Sequence, residues 1–75
     1  MNIYKNLGGN SNVSGYEISS DRIIVMFNGG ATYLYTNEST GVYDIAQMKS
    51  HAIRGIGLNS YIGRIVRKRF AVKLA

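Results

Sequence analysis

The chain has 75 residues, of which 45% are hydrophobic and 17% charged, which is typical of one small folded domain and excludes a second independent core. It contains no Cys and one His, so disulfides and thiolate metal sites are excluded, and we expect neither a cofactor nor a metal. The net charge of +5 is uneven: residues 1–48 carry two basic and four acidic residues, whereas residues 49–75 carry seven basic residues and no acid, which indicates an anionic partner.

The first residues do not resemble a targeting segment. Asn2, Lys5 and Asn6 stand where a secretory signal needs a continuous apolar run, and no later run is long enough to span a bilayer. We therefore expect a cytoplasmic protein that does not contact membranes. Residues 8–12, GGNSN, favour turns, so residues 1–12 are predicted to form an N-terminal arm and residues 13–75 a single domain.

Residues 13–36 predict three consecutive β-strands. From Val13 to Ser19, apolar and polar residues alternate weakly. Residues 22–27, RIIVMF, form a continuous apolar run rich in β-branched residues. The Asn28-Gly29-Gly30 segment favours a tight turn, and residues 31–36, ATYLYT, supply the return strand. Because short connections favour antiparallel neighbours, we expect a three-stranded antiparallel meander.

After Asn37 the apolar residues recur at spacings of three and four, which is typical of an amphipathic helix. This first helix is predicted to begin with Ser39 or Thr40 as its N-cap and to end at Gly55 and Gly57. Its apolar side is predicted to consist of Val42, Ile45, Ala46, Met48, Ala52, Ile53 and Ile56.

A second helix is predicted from Asn59 or Ser60 to about Phe70. Its apolar side is predicted to consist of Ile62, Ile65 and Val66. The expected fold class is therefore α+β, a three-stranded antiparallel meander followed by two helices in the order βββαα, with the helices over one face of the sheet.

Two segments, GYEISSDRIIVMFNGGATYLYTN and LNSYIGRIVRKRF, resemble the KTSC domain, a family found at the C-terminus of some lysyl-tRNA synthetases and as stand-alone small proteins. The resemblance covers about residues 13–70, and Gly63 replaces an Asn of the family pattern. The resemblance implies RNA binding. The positions that carry it are Gly15, Tyr16, Ile23, Val25, Phe27, Gly29, Gly30, Tyr33, Tyr35, Tyr61, Ile62, Val66 and Arg67.

The predicted second helix has a basic side. Tyr61, Arg64 and Lys68 follow one another at helical spacing, with Arg67 and Arg69 beside them. Guanidinium groups donate paired hydrogen bonds to phosphate, Lys acts as a point charge, and Tyr can stack on a base, so we expect these five residues to bind nucleic acid or phosphate. The alternative is a solvated helix end whose cations only favour the helix dipole. Further cations expected in support are Lys49, Arg54 and Lys73.

Tyr33 and Tyr35 lie two positions apart and must share one face of their strand. A two-residue turn at Gly29-Gly30 pairs Met26 with Tyr33, so the tyrosines lie on the face of the sheet opposite to Val25. A register shift of one residue places them on the same face as Val25. The two rings are either core residues under the helices or an exposed stacking platform. Because a domain this small needs large core side chains, the core reading is favoured, with at least one ring structural.

No residue pattern indicates catalysis, because His51 has no acidic neighbour and the four carboxylates are dispersed. The sequence therefore predicts a non-catalytic nucleic-acid-binding module, for RNA in preference to DNA. One alternative is a phage-type homo-oligomer that sequesters a small phosphorylated nucleotide between basic helices. Another is an adaptor or inhibitor that binds an acidic protein surface.

Overall fold

A computed structural model describes all 75 residues as an antiparallel five-stranded sheet with three helices. The strands are β1 Asn2–Ile3, β2 Val13–Ser19, β3 Arg22–Phe27, β4 Thr32–Thr36 and β5 Val72–Lys73, in the spatial order β1-β2-β3-β4-β5. The helices are α1 Asn37–Thr40, α2 Val42–Arg54 and α3 Leu58–Tyr61, and α3 continues as a π-helical turn, Ile62–Val66. The fold is α+β, but the predicted βββαα arrangement is wrong, because the sheet has two further strands and there are more than two helices.

The two additional strands lie at the edges of the sheet, and each is only two residues long. β1 pairs with β2 through Asn2 and Ile3. The next residue, Tyr4, is buried, and its hydroxyl accepts a hydrogen bond from the backbone N–H of Leu58 at 3.2 Å. The segment predicted to be an arm therefore contributes a strand and a core side chain.

The β3–β4 hairpin has a three-residue loop rather than the predicted two-residue turn. The N–H of Phe27 donates to the carbonyl of Ala31 at 2.8 Å, which leaves Asn28, Gly29 and Gly30 in the loop, and both glycines have positive φ, 91° and 100°. The longer loop shifts the register, so that Val25 pairs with Tyr33. Both tyrosines consequently lie on the same face as Ile23 and Val25, not opposite it.

The helices cover that face, and the core lies between the two layers. Its buried apolar members are Tyr4, Val13, Ile23, Val25, Tyr35, Ile45, Met48, Ala52, Leu58, Ile62 and Val66. α2 contributes only Ile45, Met48 and Ala52, whereas Val42 and Ile53, predicted on its apolar side, are exposed. None of the helices combines the length and apolar character that a bilayer crossing requires.

The first predicted helix is divided at Gly41, whose φ is 104°. The short α1 precedes this break and is capped by Thr36, which exchanges hydrogen bonds with Ser39 in a capping box. Ser39 and Thr40, predicted as alternative caps of one long helix, lie inside α1 instead. Thr40 is buried, and its hydroxyl donates to the carbonyl of Arg69 at 2.8 Å.

The last helical segment is shorter than predicted, because it ends at Val66 and not near Phe70. The N–H of Arg67 donates to the carbonyl of Ile62 at 2.5 Å, which closes the π turn five residues back. Ile62 and Val66 are buried, but Ile65 is 51% exposed. The chain then turns away from the helix axis, and this turn carries Arg67 and Lys68 to the end of the β3–β4 hairpin.

Candidate nucleic-acid interface

An open groove of about 330 Å³ lies between the end of the β3–β4 hairpin and the segment that follows the π turn. We call it the aromatic groove. Its volume is at the lower end of the range for small-molecule sites, about 300–1,000 Å³, so it has room for one nucleotide-sized group. The groove is lined by Asn12, Phe27, Asn28, Ala31, Tyr33, Tyr35, Ile62, Arg67, Lys68 and Phe70.

Four aromatic rings form one wall of the aromatic groove. The ring centroids of Tyr33 and Phe70 are 4.7 Å apart, and those of Phe27 and Tyr33 are 5.8 Å apart in an edge-to-face arrangement. Tyr35 meets Phe70 edge-on at 6.3 Å. These contacts arise because β3 and β4 direct alternate side chains to the helix side, and they give the wall a fixed shape.

The two tyrosines differ in what they can offer to a ligand. Tyr35 is 2% exposed, and burial, together with the neighbouring Tyr33, raises its pKa to about 12. It is a neutral core residue, so the suggestion that both rings form a stacking platform is wrong for Tyr35. Tyr33 is only partly buried and remains a candidate for contact with a ligand.

Two cations, Arg67 and Lys68, line the same groove. Both are exposed, and neither has an acidic partner. The three ion pairs of the chain join the N-terminal amine to Glu17, Arg22 to Asp21, and Arg69 to Asp44, so seven of the nine Lys and Arg side chains remain unpaired. The aromatic groove therefore has a positive rim with no carboxylate to neutralise it.

Arg67 has an unusual backbone conformation, with φ 53° and ψ −121°. A non-glycine residue with this φ is sterically strained, at a cost on the order of 1–3 kcal/mol, and such residues are concentrated at functional sites. Its Nε also lies 3.4 Å from the carbonyl of Arg64. The turn therefore places a guanidinium at the groove, at a position whose φ glycine would adopt without strain.

Arg69 and Tyr61, predicted to contact phosphate and to stack, are occupied within the fold. The Tyr61 hydroxyl donates to one oxygen of Asp44 at 2.6 Å, and the Arg69 guanidinium donates to the other at 2.5 Å and to the carbonyl of Thr40 at 2.6 Å. These hydrogen bonds hold the pKa of Asp44 below its usual range, while burial and then Asp44 raise the pKa of Tyr61 to about 12. Tyr61 ties α2 to α3, Arg69 ties α2 to the segment after the π turn, and neither residue lines the aromatic groove.

The remaining predicted cations divide into two groups. Lys73 is near the groove, because its Nζ is 5.8 Å from the ring centroid of Tyr33, and the exposed Arg64 adjoins Arg67. Lys49 instead donates to the carbonyl of Ser20 at 2.9 Å, at the opposite end of β3 from Phe27. Arg54 contacts His51 at 3.1 Å, and neither Lys49 nor Arg54 lines the groove.

Three residues that line the groove, Asn12, Asn28 and Phe70, were not predicted from the sequence as site residues. The N–H of Asn28 donates to the carbonyl of Asn12 at 2.7 Å, which joins two loops at the groove and brings two side-chain amides to its rim. Amides beside aromatic rings can hydrogen-bond the edge of a base or a sugar hydroxyl. Phe70 follows directly on Arg67-Lys68-Arg69, and this aromatic residue beside three cations is the sequence pattern from which it could have been predicted as a site residue.

No group of three or more His, Asp or Glu side chains is arranged to hold a metal ion. No protein-family model, curated protein or solved structure gives a significant match to this chain. The functional interpretation therefore depends on the geometry of the aromatic groove.

Proposed function

We propose that the protein is a non-catalytic RNA-binding module that holds single-stranded RNA with one nucleotide in the aromatic groove. The observation that carries this proposal is that Arg67 and Lys68 line the same groove as the partly buried rings of Tyr33 and Phe70. In this arrangement a base stacks against the aromatic wall, Arg67 donates paired hydrogen bonds to a phosphate, and Lys68 adds a point charge.

Two arguments favour single-stranded RNA over other nucleic acids. Reading RNA by stacking requires bases that are free of a helix, and a groove of about 330 Å³ has no room for a duplex. The resemblance of residues 13–70 to the KTSC domain, with its association with lysyl-tRNA synthetases, favours RNA over DNA. A cytoplasmic location belongs to the same proposal.

A second candidate, capture of a free phosphorylated nucleotide, is favoured by the volume of the groove. A site that accepts one nucleotide is complete without neighbouring nucleotides, whereas an RNA-binding site gains further contacts along the backbone from Arg64 and Lys73. The two functions therefore differ in how affinity depends on ligand length. A mononucleotide should bind a sequestering protein as tightly as an oligonucleotide does.

The test is fluorescence anisotropy with a labelled single-stranded RNA of about ten nucleotides, a DNA of the same sequence and a mononucleotide. We expect binding to RNA to be weakened about three- to ten-fold by Lys68→Ala, as one phosphate contact is lost, and about ten-fold or more by Phe70→Leu, as stacking is lost. The matched control is Lys49→Ala, which removes the same charge at the far end of β3.

Equal losses for Lys68→Ala and Lys49→Ala would mean that only net charge matters and would contradict a groove site. Equal affinity for the mononucleotide and the oligonucleotide would replace RNA binding by nucleotide capture.

A further inference from the structure

The sheet has a second face, which no helix covers. Strand alternation directs Ile24 and Leu34 away from the core, in one cross-strand row with Val72 of β5. Ile3 and Met26 lie in the next row, on either side of Gly15. We call these five residues, Ile3, Ile24, Met26, Leu34 and Val72, the apolar outer face.

The apolar outer face is separate from the hydrophobic core. None of its five residues belongs to the core cluster or to the partly buried residues packed against it. Ile3 is 85% exposed and Val72 45% exposed. The side chain of Met1 extends the same face, because its Sδ lies 3.1 Å from the position that a Cβ on Gly15 would take. Ile24, Met26 and Leu34 are half-buried between these edges, and the polar Glu17 and Thr32 lie in the same two rows. An apolar patch bordered by polar residues marks an interaction surface.

The charges around this face restrict what can cover it. Glu17 lies on the face, directly across from Ile24, and pairs with the N-terminal amine, and Arg22 at the end of the face pairs with Asp21, so these four formal charges sum to zero. The other eight Lys and Arg side chains belong to the rest of a chain whose net charge is +5. A nucleic acid or an acidic protein would find no attraction at the outer face, whereas a second copy of the chain meets a neutral apolar surface without repulsion.

The size of the face fits a small homodimer. The three long strands have five to seven residues and the two edge strands have two each. At about 3.3 Å per residue and about 4.8 Å between strands, they cover roughly 350 Å² in plan. The chain exposes 4426 Å² in total, and a standard interface buries about 800 Å² on each partner, about a fifth of that surface. Two such faces give about 700 Å² in plan, and the relief of their side chains brings the pair near the lower end of specific interfaces, about 1,000 Å² in total.

We propose that the apolar outer face is a dimer interface, on which a second copy of this chain packs its own outer face to form a two-fold β-sandwich. Both aromatic grooves remain in solvent in this dimer, because they lie on the helix-bearing side of each sheet. The proposal is independent of RNA binding. Since the interface is small, we expect a dissociation constant on the order of 10 µM.

The test is sedimentation velocity of the full chain from about 1 µM to about 500 µM, without nucleic acid. We expect the weight-average mass to rise from 8.3 kDa toward twice that value. Leu34→Lys should weaken the dimer at least about ten-fold, because each interface would then bury two unpaired ammonium groups. Ile3→Lys should act in the same direction and cannot disturb the core, since Ile3 is an exposed residue of a two-residue edge strand.

The control is Val42→Lys, which adds the same charge at an exposed apolar residue of α2 and should leave the dimer unchanged. A mass of 8.3 kDa at every concentration would overturn the proposal. Loss of the dimer in Val42→Lys with retention in Ile3→Lys would also overturn it, because the interface would then lie on α2.

Discussion

Arg67 is the residue at which the local preferences of the chain and the geometry of the site conflict. Its positive φ favours glycine, yet the position holds a long cation that lines the aromatic groove. Because such strain is concentrated at functional sites, we infer a use for this side chain other than stability. Folding and binding should therefore respond in opposite directions when this residue is changed.

We predict that Arg67→Gly raises the free energy of unfolding by about 1 kcal/mol, because glycine adopts this φ without steric strain. The same change should weaken RNA binding, since a guanidinium is lost from the groove. Urea denaturation and RNA anisotropy on the same samples measure both effects. Arg67→Ala is the control, because it removes the cation without relieving the strain, so it should lose affinity and gain no stability. Unchanged affinity in Arg67→Gly would refute a role for this side chain.

Asp44 is the second informative residue, because it joins α2 to both Tyr61 and Arg69. These hydrogen bonds lower its pKa in the folded state below the unfolded value of 3.8. The stabilisation is therefore fully present above the unfolded pKa and is lost as the pH falls through the folded pKa. Asp21, whose pKa is lowered by Arg22, contributes in the same direction.

We predict that Asp44→Asn lowers the free energy of unfolding at neutral pH. The loss of stability between neutral and acidic pH should be smaller than in the wild type, and Asp21 should account for part of the loss that remains. Urea unfolding between about pH 6 and about pH 2 measures this slope. The control Glu38→Gln removes an exposed carboxylate that forms no ion pair, so its curve should run parallel to that of the wild type. A wild-type slope in Asp44→Asn would show that the network does not stabilise the fold.

Among the secondary-structure elements, the three long strands were predicted from the sequence, but their register was not. The apolar runs of β3 and β4 and the glycines between them predicted a hairpin, and the hairpin is present. The loop length was not predictable, because Asn28-Gly29-Gly30 suits both a two-residue and a three-residue connection, and one residue reverses the face of Tyr33 and Tyr35. β1 and β5 were missed because two residues carry no periodicity and owe their conformation to the neighbouring strand.

The end of α2 depends on a contact that only the folded chain provides. Gly55 caps the helix with φ 74°, and a Cβ placed there would lie 2.5 Å from the Cβ of Lys5. The N–H of Leu7 donates to the Gly55 carbonyl at 2.8 Å. The close approach of residues 5–7 explains why the N-terminal segment is part of the domain.

We predict that Gly55→Ala destabilises the protein by at least about 1 kcal/mol, through the positive φ and the clash with Lys5. The matched control is Gly63→Ala in the π-helical turn, where a Cβ meets nothing within 4 Å. That change should be neutral or stabilising by up to about 1 kcal/mol, because alanine favours helical backbone. Thermal unfolding of both variants measures the contrast, and equal effects would show that the segment around Lys5 does not pack against the cap.

Composition located the cations of the chain but could not show which of them are free of ion pairs. Arg69 is neutralised by Asp44, 25 residues away in the sequence, and no local pattern predicts that pair. Arg67 and Lys68 are free because the helix ends at the π turn and redirects the chain, which periodicity did not reveal. The tertiary fold therefore converts a diffuse basic segment into a few cations at one groove and leaves the outer face neutral.

This uneven distribution predicts how binding depends on salt. Each phosphate neutralised on a single strand makes the slope of log affinity against log salt more negative by about 0.7. Contacts from all four cations at the groove, Arg64, Arg67, Lys68 and Lys73, therefore give a slope no steeper than about −3. Lys68→Ala should make the slope shallower by about 0.7, whereas Lys49→Ala should leave it unchanged, although both lower the net charge equally. Anisotropy titrations at several salt concentrations measure these slopes. A localised site loses a phosphate contact only when one of its own cations is removed. Identical slopes for the two variants would therefore mean that RNA binding depends on the overall charge of the chain and not on the groove.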